Sequence, residues 1–368
     1  MSIHDQSSDP ESSRPLRSGF VLFVSLRDLQ WRLRRFVIGV LATGLVFALA
    51  LLISGVSGSF HNEVTRSVDA LHADRWLVSD RAFGPFTSST LIPVSEASAV
   101  AREPGVTAAD PVVLLHFTVT SPTVKDLNLI GVVPHGVGAP TVREGRSIER
   151  SGEVVADEST GIPLGANLDL GGTAFRVVGR TKGLSYYAGT PVVFLPITDA
   201  QRLIMGGQPL ATAIVVRGAP TVAPPGLRLL TNAAVKSDLR RPLQQATQTI
   251  DFLRVLLWII AAGIIGSLLY LQALERTRDF AVFKATGVSS STLLVGIAVQ
   301  AIVLAASGAI AALVLAFLLA PVMAMNIEIP RSSYVALPIV AIVVGLVSSV
   351  FGLRRAVTVD PALAFGGA

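Results

Sequence analysis

The chain has 368 residues, of which 51% are hydrophobic and 15% charged, a balance too apolar for an ordinary soluble protein of this length. Its net charge of +5 comes mostly from arginines scattered along the chain or grouped beside apolar runs, with no aromatic-interleaved basic patch, so membrane anchoring and a solvated surface account for it and no nucleic-acid partner is implied. The absence of cysteine excludes disulfides, thiol catalysis and thiolate metal sites together.

Residues 1–14, rich in Ser, Asp and Pro, are expected to be a disordered tail. From Pro15 to Phe36, clusters of Phe, Val and Leu alternate with Arg and Asp, a pattern that predicts an interfacial helix over 15–36 on the cytoplasmic membrane surface. The first apolar run, residues 37–59, is long enough to cross a bilayer. It is too long for the apolar region of a signal peptide, and it leads into a helical pattern with no clear cleavage signal.

Residues 60–250 are polar enough for an aqueous α+β domain and numerous enough for a real core. Val94–Arg102 reads as a short helix, followed by a Glu103–Val106 turn and strands at Pro111–Thr120 and Leu127–Val133. A second block, about 145–203, reads as a small subdomain. It contains Val154–Ala156, Leu168–Leu170, a Gly171-Gly172 turn, Phe175–Gly179 and Val192–Leu195, then a helix with Thr198 as its expected N-cap. Leu210–Arg217 returns as a strand, residues 219–226 form a Pro-rich connection, and Ala234–Arg254 reads as a helix leading into the second span. The adjacent Asp157 and Glu158 read as a solvated acidic turn. The five histidines, His4, His61, His72, His116 and His135, are scattered. No G-x-S-x-G elbow and no H-E-x-x-H helix occurs, so neither a catalytic residue nor a metal site is expected.

Three more apolar runs follow, at 251–274, 292–320 and 334–353. The third span is overlong and should tilt or project beyond the hydrocarbon. Residues 275–291 interrupt the second and third with five charges, Glu275, Arg276, Arg278, Asp279 and Lys284, around Phe280 and Phe283. Gly287 suits a helix C-terminus and Ser289 the next N-cap. The spacing predicts a compact amphipathic helix, the shape of a docking element. Residues 321–333 make a short external loop and 354–368 a cytoplasmic tail. Arginines before the first span, between the second and third, and after the fourth place both termini and the 275–291 helix in the cytoplasm. The 60–250 domain then faces outward.

The apolar runs 37–59, 255–274, 292–320 and 334–353 contain no Asp, Glu, Lys, Arg or His, residues that coupled transporters place near mid-membrane. Gln300 reads as interhelical glue. Small residues at helical spacing, Ala301, Ala305 and Ala309 on the third span and Ala341, Gly345 and Ser349 on the fourth, predict close packing within the chain, with a dimer seam as the alternative.

The order of one span, a large outer domain and three spans, with Glu-Arg-x-Arg-Asp-Phe-x-x-Phe-Lys-Ala-x-Gly-Val-Ser between the second and third, resembles the FtsX/MacB-type ABC transporter permeases. Asp279 and Phe283 depart mildly from the family's pattern. The Arg354-Arg355-Ala356 to Asp360-Pro361-Ala362 tail resembles the family's end, and residues 145–203 resemble the small subdomain of MacB- and LolC-like outer domains.

The resemblance implies a mechanotransmission permease of the bacterial cytoplasmic membrane, with no cofactor in this chain. No G-x-x-x-x-G-K-[ST] motif occurs, so ATP and Mg would be bound by a separate ABC ATPase subunit. Glu275, Arg276, Arg278, Asp279, Phe280, Phe283, Lys284 and Gly287 would form the ATPase-coupling element. Two permeases, as a homodimer or a paralogue heterodimer, would pair with two ATPases in membrane lipid. The size of the outer domain points to export or extraction of a hydrophobic compound, peptide or lipoprotein, with a periplasmic adaptor as a further partner. The alternative is an FtsX-like regulator of a cell-wall hydrolase. A third reading, amino-acid uptake, is weakened because importer permeases usually have more spans and no such outer domain.

Overall fold

The structure, a computed structural model, describes residues 33–119, 125–275, 290–320 and 329–357, together with Val282. The expected 1–14 tail, most of the 15–36 interfacial helix, nearly all of the 275–291 coupling helix, residues 321–328 of the external loop and the chain after 357 lie outside the described residues. Contacts divide the chain into a unit of apolar helices and a second unit centred on residues 56–249.

Four helices are long and apolar enough to cross a membrane. The first, α1, runs without a break over Leu33–Asp69. It therefore absorbs residues 33–36 of the expected interfacial helix and continues ten residues past the expected end of the span. At 1.5 Å per residue such a helix is about 55 Å long, well beyond the roughly 30 Å of a hydrocarbon core.

The sheet unit follows, with β1 (Arg75–Ser79), β2 (Ile92–Pro93), α2 (Ser95–Val100), β3 (Val106–Val119), β4 (Lys125–Val132), β5 (Glu144–Gly145), β6 (Glu153–Asp157), β7 (Asn167–Leu170), β8 (Thr173–Thr181), β9 (Ser185–Tyr186), β10 (Thr190–Pro196), α3 (Ile197–Met205), β11 (Leu210–Ala211), β12 (Ala213–Gly218), β13 (Leu227–Thr231) and α4 (Asn232–Arg240). After a 3-10 turn at Arg241–Leu243, α5 covers Gln244–Glu275, and α6 (Ser290–Leu319) and α7 (Arg331–Val357) complete the chain.

Nine strands share one sheet path, β13-β1-β12-β3-β4-β10-β6-β8-β5, with β7 and β9 attached to β8 and β10. The fourteen-residue β3 joins its halves: Val106–Val112 pairs with β12 and Val113–Val119 with β4. The 145–203 strands continue this sheet through the parallel pairing of β4 with β10.

Successive strand side chains point to opposite faces, and the core obeys this residue by residue. Val192 and Phe194 of β10 join Trp76, Val112, Ile130 and Val215 on one face. Val193 and Leu195 join Leu129, Val154 and Val177 on the other, beneath α3. A third cluster sets Leu77, Ile214 and Val216 against Ala97 and Val100 of α2. With both faces covered, the strands read as short continuous apolar runs.

Several local expectations are corrected. Thr198 does not cap α3: the N-cap position is Pro196, which has no capping side chain. Asp157 is fully buried, not solvated. It accepts hydrogen bonds from Ser159 N, Ser159 Oγ, Thr181 Oγ1 and Leu184 N, while Glu158 alone stays at the surface, paired with Lys182. The helix expected over 234–254 is broken in two, because Pro242 at the start of a 3-10 turn removes a backbone donor.

In the helical unit, α6 and α7 pack along the small-residue ridges. A Cβ at Gly345 would lie 3.1 Å from Ala301 O and 3.3 Å from the Ala305 methyl. Ala301, Ala305 and Ala341 are buried, so these ridges serve packing within the chain. Ser348 Oγ donates to Ala262 O of α5 at 2.9 Å, and Thr43 of α1 lies against Gly308 of α6. Arg254 pairs with Asp251 and sits 5.7 Å from the Trp258 ring, an arrangement suited to a membrane border.

Candidate functional site: where the two connecting segments meet

Two stretches of chain lead from the sheet unit toward the apolar helices: the end of α1 and the α4–α5 segment. They are fastened to each other, and each holds one of two neighbouring loops.

Direct ties come first. Lys236 of α4 pairs with Asp69 of α1 at 2.8 Å, and Arg240 Nη2 lies 3.4 Å from His61 Nε2. Asn232, at the start of α4, accepts from the buried Trp76 indole at 2.8 Å and donates to Ala73 O at 2.8 Å. Thr231 caps α4 by accepting from Ala234 N. Val64 and Val68 of α1 and Val235 and Leu239 of α4 enter the same core cluster.

The loop after β1 is held by α4. Asp238, buried, accepts from Phe86 N at 2.9 Å, from Thr87 N at 3.3 Å and from Thr87 Oγ1. Gly84 lies so close that a Cβ there would overlap this carboxylate. Arg228 donates to Ala82 O and Phe83 O, and Arg241 stacks on the Phe83 ring at 4.8 Å.

The β9–β10 turn is held by α1. Glu63 accepts from Gly189 N at 3.2 Å, and Ser67 Oγ donates to Ser185 O at 2.9 Å. Glu63 and Ser67 are four apart, hence on one face of the helix. The turn carries positive φ at Tyr187 (56°), Ala188 (63°) and Gly189 (87°). For a residue with a Cβ that conformation costs roughly 1–2 kcal/mol, so the two non-glycine positions need outside support.

Aromatic rings join the two loops. Trp76 and Phe86 are 6.2 Å apart, Phe86 and Tyr186 5.4 Å, Tyr186 and Tyr187 5.1 Å, the last two pairs edge to face. Such pairs add about 0.5–1.5 kcal/mol each beyond burial. Tyr187 donates its hydroxyl to Phe86 O at 3.3 Å. Burial, with Asp238 nearby, pushes its phenol up to about 12, so it remains a neutral donor. Burial likewise pushes the Tyr186 phenol up.

Of the residues expected to couple to an ATPase, Glu275 ends α5. Arg276, Arg278, Asp279, Phe280, Phe283, Lys284 and Gly287 lie outside the described residues. Sequence reasoning did not find the junction, because Glu63, Ser67, Asp238 and Tyr187 belong to no recognised spacing and meet only through the fold. Among the described residues no group of three or more His, Asp or Glu side chains could hold a metal ion.

Comparison with known proteins gives the family. The model for the MacB-like periplasmic core domain matches residues 37–228, and that for the FtsX-like permease C-terminal region matches residues 252–361. The chain belongs to the FtsX/MacB-type ABC transporter permeases. This permease is 43% identical over 348 residues to the uncharacterized ABC transporter permease Rv2563 of Mycobacterium tuberculosis, covering 94% of this chain and all of that one. It is 42% identical, with the same coverage, to the uncharacterized permease Rv0072 of the same organism. Among solved structures it is similar to the periplasmic region of MacB from Actinobacillus actinomycetemcomitans, at 16% identity and a TM-score of 0.36, covering 48% of this chain and 98% of that one. The permease is thus a multi-pass membrane protein with four apolar helices and a large α+β domain between the first and second.

Proposed function

We propose that this permease is the non-catalytic membrane subunit of a transporter in which ATP hydrolysis by a separate ATPase moves the outer α+β domain. The movement serves export or extraction of a hydrophobic compound, peptide or lipoprotein. Residues 275–291 dock on the ATPase, which binds ATP and Mg. Two copies, or one copy and a paralogue, form the membrane part in a bacterial cytoplasmic membrane, with both termini cytoplasmic.

The observation that carries this reading is the unbroken α1. One helix begins in the apolar unit and ends fastened by Glu63, Ser67 and Asp69 to the sheet domain. Helical hydrogen bonds make such a rod stiff, so a displacement at one end arrives at the other. The apolar runs 37–59, 255–274, 292–320 and 334–353 support the same reading, since they contain none of the ionisable groups that line ion- or proton-coupled paths.

The test uses spin labels on Gln208→Cys, an exposed position in a chain without native cysteine. In the complex with its ATPase in lipid nanodiscs, trapping with ATP and vanadate shifts the distance distribution between the labels of two copies. An unchanged distribution would overturn the proposal.

A further inference from the structure

Among the described residues, only the β9–β10 turn places two consecutive non-glycine residues at positive φ, with a third positive φ beside them. We infer that this turn is a strained latch, closed by Glu63 and Ser67 of α1 and opened when α1 is displaced. The inference rests on the proposed transmission through α1.

The two ends of the turn are held differently from its tip. Asn128, fully buried in β4, donates to Tyr186 O at 3.1 Å and to Thr190 O at 3.0 Å. Those bonds fix the ends of the turn to the sheet whatever α1 does. At the tip, Thr190 Oγ1 donates to Tyr187 O at 3.0 Å from within the turn, and α1 adds the bond from Gly189 N to Glu63. Ser67 Oγ reaches Ser185 O on the strand leading into the turn. A helix that shifts or rotates breaks these two contacts and leaves the Asn128 pair intact. Without them, the left-handed conformation of Tyr187 and Ala188 keeps the β9–β10 pairing and the bond from Thr190 Oγ1 but loses its support from α1, and the Cβ repulsion that disfavours it favours a flip of the turn.

Tyr187 passes the change on. Its hydroxyl bonds Phe86 O, in the loop that Asp238 of α4 holds. A flip of the turn withdraws that hydroxyl and parts its ring from Tyr186, so the route from α1 through the turn to the loop that α4 carries is broken. The latch thus decides whether the β9–β10 turn and its Phe86 contact follow α1, while the Lys236–Asp69 pair still ties α1 to α4.

Strain at a contact between moving parts is where a bistable element is expected. A permanent attachment gains nothing from two strained residues, since Asn or Gly at 187 and 188 would hold the same turn without the repulsion.

The experiment joins Ser67→Cys to Ser185→Cys with a short reducible bis-thiosulfonate linker, in the full chain with its ATPase in nanodiscs. Each single variant, treated identically, controls for modification of the partner. Linking is expected to lower the ATPase rate at least about tenfold, since a blocked conformational step stops turnover, and reduction is expected to restore it. If the Gln208→Cys label distance responds to ATP but the fully linked complex keeps its ATPase rate within about twofold, the latch is overturned and the transmission reading stands. If the label distance does not respond even without the linker, the transmission reading falls and the latch with it. As a second variant, Ala188→Gly removes one Cβ repulsion and holds the turn closed more firmly, so it should slow the ATPase while raising the melting temperature. A faster or unchanged ATPase in Ala188→Gly counts against the latch.

Discussion

Replacing Asp238 by Ala detaches the loop after β1 from α4. The carboxylate receives the Phe86 and Thr87 amides and the Thr87 hydroxyl. Hydrogen bonds to a charged group contribute about 1.5–3 kcal/mol each. Counting the Phe86 N and Thr87 Oγ1 bonds fully, and discounting the 3.3 Å bond from Thr87 N, the variant loses about 3–6 kcal/mol. A unit of this size moves about 2–4 °C per kcal/mol, so the transition should drop by roughly 10 °C. The assay is thermal unfolding of the full chain in detergent, followed by tryptophan fluorescence with Trp31 and Trp258 replaced by Phe, which leaves Trp76, fully buried 6.2 Å from Phe86, as the reporter. Asp238→Asn keeps one acceptor oxygen and should shift about half as far. Gly84→Ala should mimic Asp238→Ala, because the new methyl and the carboxylate would overlap, and the two substitutions together should fall short of additivity. A shift under about 2 °C for Asp238→Ala would refute the reasoning, since a buried acceptor of three bonds cannot be that dispensable.

Gly345→Leu drives a side chain into Ala301 O and the Ala305 methyl. It should destabilise the α6–α7 pair by about 1–3 kcal/mol, measured as a lower melting temperature in detergent, with Gly345→Ala intermediate. Glu153 is held down to about 2 by the hydrogen bond from Arg146, helped by the Glu149 and Arg150 amides. A depressed carboxyl stabilises the fold above its ordinary range and loses that contribution as pH falls toward 2. The melting-temperature gap between wild type and Glu153→Gln should therefore be constant near neutrality and narrow below about pH 4.5. Phe283→Asp should abolish co-purification with the ATPase and leave membrane insertion intact. Insertion failure with retained binding would assign Phe283 to the membrane surface instead.

The helical unit and the family were legible because long apolar runs and a charged, glycine-ended segment are strong one-dimensional signals. The α6–α7 contact was legible for the same reason: Ala301, Ala305 and Gly345 recur at helical spacing and do meet. Two of the sheet's five-residue strands were not found. β1 is Arg-Trp-Leu-Val-Ser, buried at three consecutive positions, so its period-2 alternation disappears when both faces are covered. β13 follows a Pro-rich stretch and is only five residues long. The junction was illegible for a different reason. Its contacts join residues far apart in the chain, such as Glu63 with Gly189 and Phe86 with Asp238, and nothing local marks Tyr187 or Ala188 as left-handed. An Asp-Gly or Asn-Gly pair would have signalled the turn; Tyr-Ala signals the opposite.

The account depends on a signal crossing the membrane from residues 275–291 to the sheet domain, and thiol labelling tests that crossing most directly. In a chain without cysteine, Ser159→Cys and Ser332→Cys should react with a membrane-impermeant reagent on intact spheroplasts. Ser18→Cys and Ser290→Cys should stay unlabelled until the membrane is opened. Labelling of Ser290→Cys from outside would put the docking segment on the wrong side of the membrane from ATP and contradict the account.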